Sequence, residues 1–336
     1  MKTKQRSSGE TGRMVRLISR NSVLVALLLL ILFGAFRYEH FLGAFNVLTV
    51  LRYNSMFALV ALGMCFVIMS GGIDLSVGTC AALGSVVSAL LSPYGVWVAL
   101  LGGIGAGAGI GFLNGLAITR LNIPPFISSL AAMLAAQGTA LLLAHNQSVS
   151  VSYDTTFTVI GQGDFFGFPI PAWIAAIAYL IGSICLNLTA TGRYVLAIGG
   201  NEEAARLMGL PVDRVKLFLY LLSGILSGLA GVILAAQFGA GQPTEGVGWE
   251  LFAIASVVVG GTLLSGGQGS VGATLAGVLL LGLIFNILNF ENGLGWISLS
   301  AYWQSVIRGV FLMIVVIFQS RLVVRQLVDR APAAKG

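Results

Sequence analysis

Few residues in this chain are equipped for chemistry. Ser70-Gly71-Gly72-Ile73-Asp74-Leu75-Ser76-Val77-Gly78 sets one carboxylate into an otherwise apolar stretch. A charge at the centre of a membrane helix costs about 2.5–3.5 kcal/mol on insertion scales, so Asp74 needs a reason. Two compatible readings supply one. Asp74 or Ser76 caps the following helix at the membrane edge while Gly71 and Gly72 turn the chain, or a broken helix presents its free backbone and Asp74 to an aqueous path. Arg308 sits within a late apolar segment, where it either snorkels or pairs with Asp74, Glu245 or Glu250. Asn114 and Gln137 bring amides into apolar segments. With Gly71, Gly72, Asp74, Ser76 and Arg308 they are the candidates to line or gate a path. The only histidines are His40 and His145, and neither a Ser/His/Asp set nor an HExxH helix is present. Cys65, Cys80 and Cys185 are odd in number and far apart in apolar runs, so they read as packing residues rather than disulfide or metal ligands. Catalysis has no residues to stand on.

Two segments carry sharper local signals. Leu264-Ser265-Gly266-Gly267-Gln268 spells the LSGGQ signature of ATP-hydrolysing cassette domains. Such a domain also needs a GxxxxGK[ST] loop to cradle phosphates, and no Lys lies between Lys4 and Lys216. The pentapeptide therefore reads as a turn between apolar spans. Residues 201–209 carry helix punctuation: Asn201 at the cap, Glu202 and Glu203 at the positive start, Arg206 in the last turn, Gly209 as a left-handed stop. Pro211 blocks continuation. The spacing predicts a short exposed amphipathic helix, with Ala204, Leu207 and Met208 apolar.

The elements that must hold these residues follow from composition. The 336 residues are 57% hydrophobic and 9% charged, with a mean hydropathy of +0.94. A soluble domain, at roughly 25% charged, does not look like this, nor does a nucleic-acid-binding one with basic patches among stacking aromatics. The chain reads as an all-α polytopic membrane protein. Ten spans are expected, at 22–36, 46–69, 76–92, 96–118, 124–144, 171–189, 217–238, 251–264, 271–289 and 301–319. An uncleaved first span fits because Arg37, Tyr38, Glu39 and His40 follow it instead of a small-residue cleavage site. With both termini cytoplasmic, fifteen of the eighteen basic residues fall inside, while Arg37 and Arg52 lie outside and Arg308 within a span. The net charge of +6 is thus a topology signal.

The organisation is a basic cytoplasmic tail (1–21), a transmembrane domain (22–320) and a second cytoplasmic tail (321–336). An outside loop (145–170) and a cytoplasmic loop (190–216) are long enough to act. Gly103, Gly107, Gly111 and Gly115 form a ridge on the fourth span, and Gly224 and Gly228 form another on the seventh. Helices in lipid associate through such small-residue ridges. A weak likeness between 63–87 and 231–258, five spans apart, would make an inverted repeat.

Several stretches resemble the permease subunit of ribose-type monosaccharide ATP-binding-cassette importers, a family that includes ribose, xylose, arabinose, galactose and galactofuranose permeases. They are SGGIDLSVG (70–78), TGRYVLAIGGNEEAARLMGL (191–210), ELFAIASVVVGGTLLSGGQGSVGATLAG (250–277) and YWQSVIRG (302–309). The resemblance runs from about Asn46 to Arg321. The family usually has Phe-Gly-Gly where Leu264-Ser265 precedes Gly266-Gly267, which makes the LSGGQ string an accident of spelling. The resemblance implies a pair of permeases (two copies or two paralogues) in the inner membrane, a separate ATPase subunit that binds ATP and Mg, and a periplasmic sugar-binding protein. This chain would bind no cofactor and no nucleic acid. The helix begun by Asn201, Glu202, Glu203, Ala204 and Ala205 and ended by Arg206, Leu207, Met208 and Gly209 would be the coupling helix seated on the ATPase. Glu203-Ala204-Ala205 with Gly209 also echoes the EAA…G loop of other importer permeases, although the Ile-x-Leu-Pro that should follow is missing. Phe290-Glu291-Asn292-Gly293 and residues 256–271 lean toward the galactofuranose-like branch. The competing classes are an ion-coupled secondary sugar transporter, which usually carries acidic relays, and a channel, which needs a charge ring or carbonyl filter.

Overall fold

The computed structural model describes residues 22–293 together with 303, 306, 307, 309, 310 and 313. The two basic tails, Arg308 and most of the expected tenth span lie outside the described residues. In chain order the helices are α1 (Ser22–Arg37), α2 (Ala44–Met69), α3 (Val77–Leu91), α4 (Val96–Arg120), α5 (Pro125–Leu143), α6 (Ile170–Leu188), α7 (Ala190–Gly200), α8 (Glu202–Leu207), α9 (Val212–Phe238), α10 (Trp249–Val259) and α11 (Val271–Gly293). Among the described residues seven of these, α2 to α6, α9 and α11, are long and apolar enough to cross a membrane. Shorter apolar helices, α1 and α10, occupy the first and eighth expected positions.

The eighth span departs from expectation. Residues 251–264 continue apolar through Leu263 and Leu264, yet α10 stops at Val259. Gly261 takes a left-handed φ of +87°. Its N–H donates to the Val258 carbonyl and that of Thr262 to Val257, which closes the helix end. Hydropathy does not register this stop, because a glycine pair is nearly neutral in a hydropathy window. The end of α2 is built the same way: Gly71 has φ +83°, with Gly71 N–H on Ile68 and Gly72 N–H on Val67. Each stop is followed by Ser-Val-Gly at the start of the next helix, Ser76 before α3 and Ser270 before α11. Thr79 and Thr274 bond back to the Ser76 and Ser270 carbonyls, both at 3.0 Å.

The core forms around α2, which is buried from Asn54 to Met69 except at Phe57. A helix apolar on all sides belongs inside a bundle. The α4 and α9 ridges interlock beside it. A methyl placed on Gly228 would lie 2.7 Å from the Gly103 carbonyl oxygen, and one on Gly224 2.9 Å from the Gly111 Cα. Only glycine permits that approach, so the ridges are helix–helix contacts.

Tertiary contacts sort the connections to two ends of the bundle. At one end the 145–170 segment meets the turn after α3 and the exit of α9. The Ser152 N–H donates to Ser92 Oγ at 2.7 Å. Strand β1 (Val149–Ser150) pairs with β4 (Ala240–Gly241), while β2 (Asp164–Phe165) and β3 (Phe168–Pro169) form a hairpin. Arg52 donates to Asp164 and the Gln162 carbonyl, both at 2.7 Å, which places it at this end as expected. The other end gathers the 120–124 turn, the loop 70–76, α7, α8 and the loop 260–270.

Candidate functional site

At this second end the chain builds its punctuated helix. Asn201 Oδ1 accepts from the Ala204 N–H at 2.8 Å, the N-cap bond its position predicts. The helix runs Glu202–Leu207 and Gly209 follows with φ +78°. Ala205 is fully buried and anchors the helix to the main core. Leu207 and Met208 are left 84% and 68% exposed, two apolar tips that none of the described residues covers. Sequence reading missed two features here: α7 before the helix, and the start of α9 at Val212 instead of 217. The early start of α9 brings Asp213 and Lys216 beside α8. Lys216 Nζ meets Glu202 Oε2 at 2.5 Å, and Arg206 bridges Glu202 at 3.3 Å and Asp213 at 2.5 Å. Partial burial pushes the Glu202 carboxyl up, but the hydrogen bonds and charges of Lys216 and Arg206 outweigh this and hold it below the ordinary carboxylate value. A cleft of about 170 Å³ separates this cluster from the 118–125 turn.

Asp74 lies in the loop between α2 and α3, 1% exposed. Its Oδ1 accepts from the Ser76 N–H (3.0 Å) and Ser76 Oγ (2.6 Å), its Oδ2 from Ser223 Oγ (2.8 Å), and Asn114 Nδ2 approaches Oδ1 at 3.4 Å. The carboxylate thus closes the start of α3 and ties it to α4 and α9. None of the ion pairs among the described residues involves Asp74. Asn114 continues the network, its Oδ1 accepting from the Ser128 hydroxyl on α5. Both line a largely apolar groove of about 340 Å³ between α4 and α5. Ser128, Ser223 and Tyr220, whose hydroxyl bonds the Ile73 carbonyl at 3.3 Å, were invisible to sequence reasoning. A lone Ser in an apolar span carries no signal until its partner is known.

The LSGGQ loop packs against both regions. The Gly267 N–H donates to the Met69 carbonyl at 2.9 Å. A methyl on Gly266 would stand 2.8 Å from the Gly71 nitrogen and 3.0 Å from the Gly199 Cα. The ends of α2, α7 and the loop after α10 therefore meet backbone to backbone, through glycine. Gly71 of the expected path belongs to this junction, whereas Gly72 packs against Tyr220 and Val67.

Residues 46–316 match the family described as branched-chain amino acid transport system / permease component. The chain belongs to this family. It is 38% identical over 300 residues to the ribose import permease protein RbsC of Bacillus subtilis (strain 168), covering 88% of this chain and 91% of that one. Identity to RbsC of Escherichia coli (strain K12) is 36%, across 89% and 92% of the two chains. The L-arabinose transport system permease protein AraH of the same strain is 38% identical over 79% of each. No solved structure matches.

Of the remaining candidates in this permease, Arg308 lies outside the described residues, which leaves Gln137. Gln137 on α5 donates to the Pro243 carbonyl at 2.8 Å, close to the β1–β4 end, while its Oε1 is buried without a protein partner. Its hydrogen bond to Pro243 is separate from the Asp74 network. Among the described residues no three His, Cys, Asp or Glu side chains gather as metal ligands.

Proposed function

We propose that this chain is the membrane permease subunit of an ATP-binding-cassette importer and forms the translocation path for a monosaccharide. The observation that carries this is the identity of 36–38% to ribose and arabinose permeases across 79–92% of each chain. In this reading the α8 end faces the cytoplasm and the 145–170 end faces the periplasm of a bacterial inner membrane. The exposed tips Leu207 and Met208, held on a capped and ion-paired helix, seat in a separate ATPase that binds ATP and Mg. A periplasmic binding protein delivers the sugar, a pentose or hexose with galactofuranose among the candidates, and a second permease completes the path. The small residues that α4 and α5 leave uncovered, among them Gly105, Gly109 and Gly138, suit close approach of that second chain.

Reconstitution tests the reading. The chain is co-expressed with a candidate cassette ATPase and sugar-binding protein, and uptake of labelled ribose, arabinose and galactofuranose is measured. Uptake is expected to need the ATPase and to survive an uncoupler. Uptake that persists without the ATPase and collapses with the uncoupler would identify an ion-coupled transporter instead.

A further inference from the structure

The hairpin β2–β3 is built unlike an ordinary polar surface turn. Asp164 pairs with Pro169 and Phe165 with Phe168, so Phe166 and Gly167 form a two-residue turn. Both have positive φ, +51° and +77°. Such turns favour Asn-Gly or Asp-Gly, and a bulky aromatic in left-handed backbone is an outlier. Phe166 is nonetheless there, and it is 83% exposed. Neither local conformation nor burial among the described residues accounts for it.

Its neighbours point to an occupant. Phe165 and Phe168 are also exposed, and Trp173 stands edge-on to both. Trp173 donates its indole N–H to the Phe165 carbonyl at 3.0 Å, which fixes the hairpin to the first turn of α6. From Trp173 the exposed residues of α6 continue down one face through Ile177, Ile181, Ile184 and Leu188. That stripe is bulky and aliphatic, as lipid-facing helix faces are. The one charge on the hairpin, Asp164, is paired to Arg52.

We propose that this aromatic hairpin is an interfacial anchor, seated in the headgroup boundary of the outer leaflet at the end of α6. The position follows from continuity: it caps a lipid-facing stripe at the depth where a spanning helix begins. Amphipathic aromatic groups gather at that depth because the ring leaves water while the backbone and indole N–H keep polar partners. The anchor would hold the 145–170 segment against α2 through the Arg52 pair. It rests on the outward-facing orientation of the 145–170 end and not on the importer reading.

Photo-crosslinking tests it. Phe166 is replaced by p-benzoylphenylalanine in the full chain in native membranes, irradiated, and the adducts weighed. The main adduct is expected to be a phospholipid. A main adduct with a protein, whether a binding protein or a second copy of this chain, would overturn the proposal, as would the absence of any adduct. The same probe at Leu207 is expected to capture the ATPase; failure there counts against the importer reading and leaves the anchor standing. A second readout uses the chain lacking Cys65, Cys80 and Cys185. Phe166→Cys is expected to react with an impermeant maleimide on the order of ten-fold more slowly than Ser150→Cys, which also lies outside. Equal rates would overturn the anchor.

Discussion

Replacing Asp74 by Leu separates two roles for this carboxylate. The substitution strips an acceptor from four donors: the Ser76 N–H and hydroxyl, the Ser223 hydroxyl and the Asn114 amide. A buried donor left without an acceptor costs about 1–3 kcal/mol, so the loss is roughly 4–12 kcal/mol. Ser76 and Ser223 can turn their hydroxyls to nearby carbonyls, which leaves about 2–6 kcal/mol for the Ser76 N–H and the Asn114 amide. Against a typical total of about 5–15 kcal/mol, much of the folded population is at risk. Asp74→Asn keeps an oxygen for the Ser76 N–H and the shape of the side chain, and is expected within about 1 kcal/mol of native. Uptake and membrane abundance are measured together for both variants. If Asp74 acts as a helix closure, abundance falls severalfold in Asp74→Leu while transport per molecule holds. If it gates the path, transport per molecule falls at normal abundance, already in Asp74→Asn. Native abundance of Asp74→Leu would refute the energetic reasoning, and full activity with it would refute both roles.

Other outcomes follow from the packing and the cytoplasmic helix. Gly228→Leu should separate α4 from α9 and lower the amount of folded protein in detergent melts, at a cost of about 1–3 kcal/mol or more, whereas Gly272→Ala, with nothing within 4 Å, should be silent. Arg206→Glu turns two ion pairs into repulsions and places negative charge at the helix end; Gly209→Val strains a left-handed stop. Either should abolish ATP-driven uptake at unchanged membrane abundance, and normal uptake would show that α8 is not the docking site. Because Glu202 is held below its ordinary value, its pairing is fully present above that value and lost only as pH falls through the lowered one. Uptake should therefore show no titration from this cluster between about pH 5 and 8, and a step that Glu202→Gln removes would contradict it. Gln268→Ala should leave ATP hydrolysis by the partner unchanged, and crosslinking of an ATP analogue to Gln268 would overturn the turn reading of LSGGQ.

The sequence by itself determined what composition and local chemistry control. Long apolar runs give helices wherever they occur, and the cap at Asn201 and stop at Gly209 act within a few residues, so α8 was legible with its charges. The Gly103-to-Gly115 ridge was legible too, because a period of four places residues on one helix face whatever lies opposite. Only the tertiary structure decided where apolar sequence stops being a span: α10 ends at a glycine pair that leaves hydropathy nearly untouched. It also decided the partners. Asp74 finds Asn114 and Ser223, 40 and 149 residues away, and Gly267 finds Met69 across most of the chain. Such pairings depend on how helices cross, and in lipid that is settled by the fit of small side chains, which no single segment encodes alone.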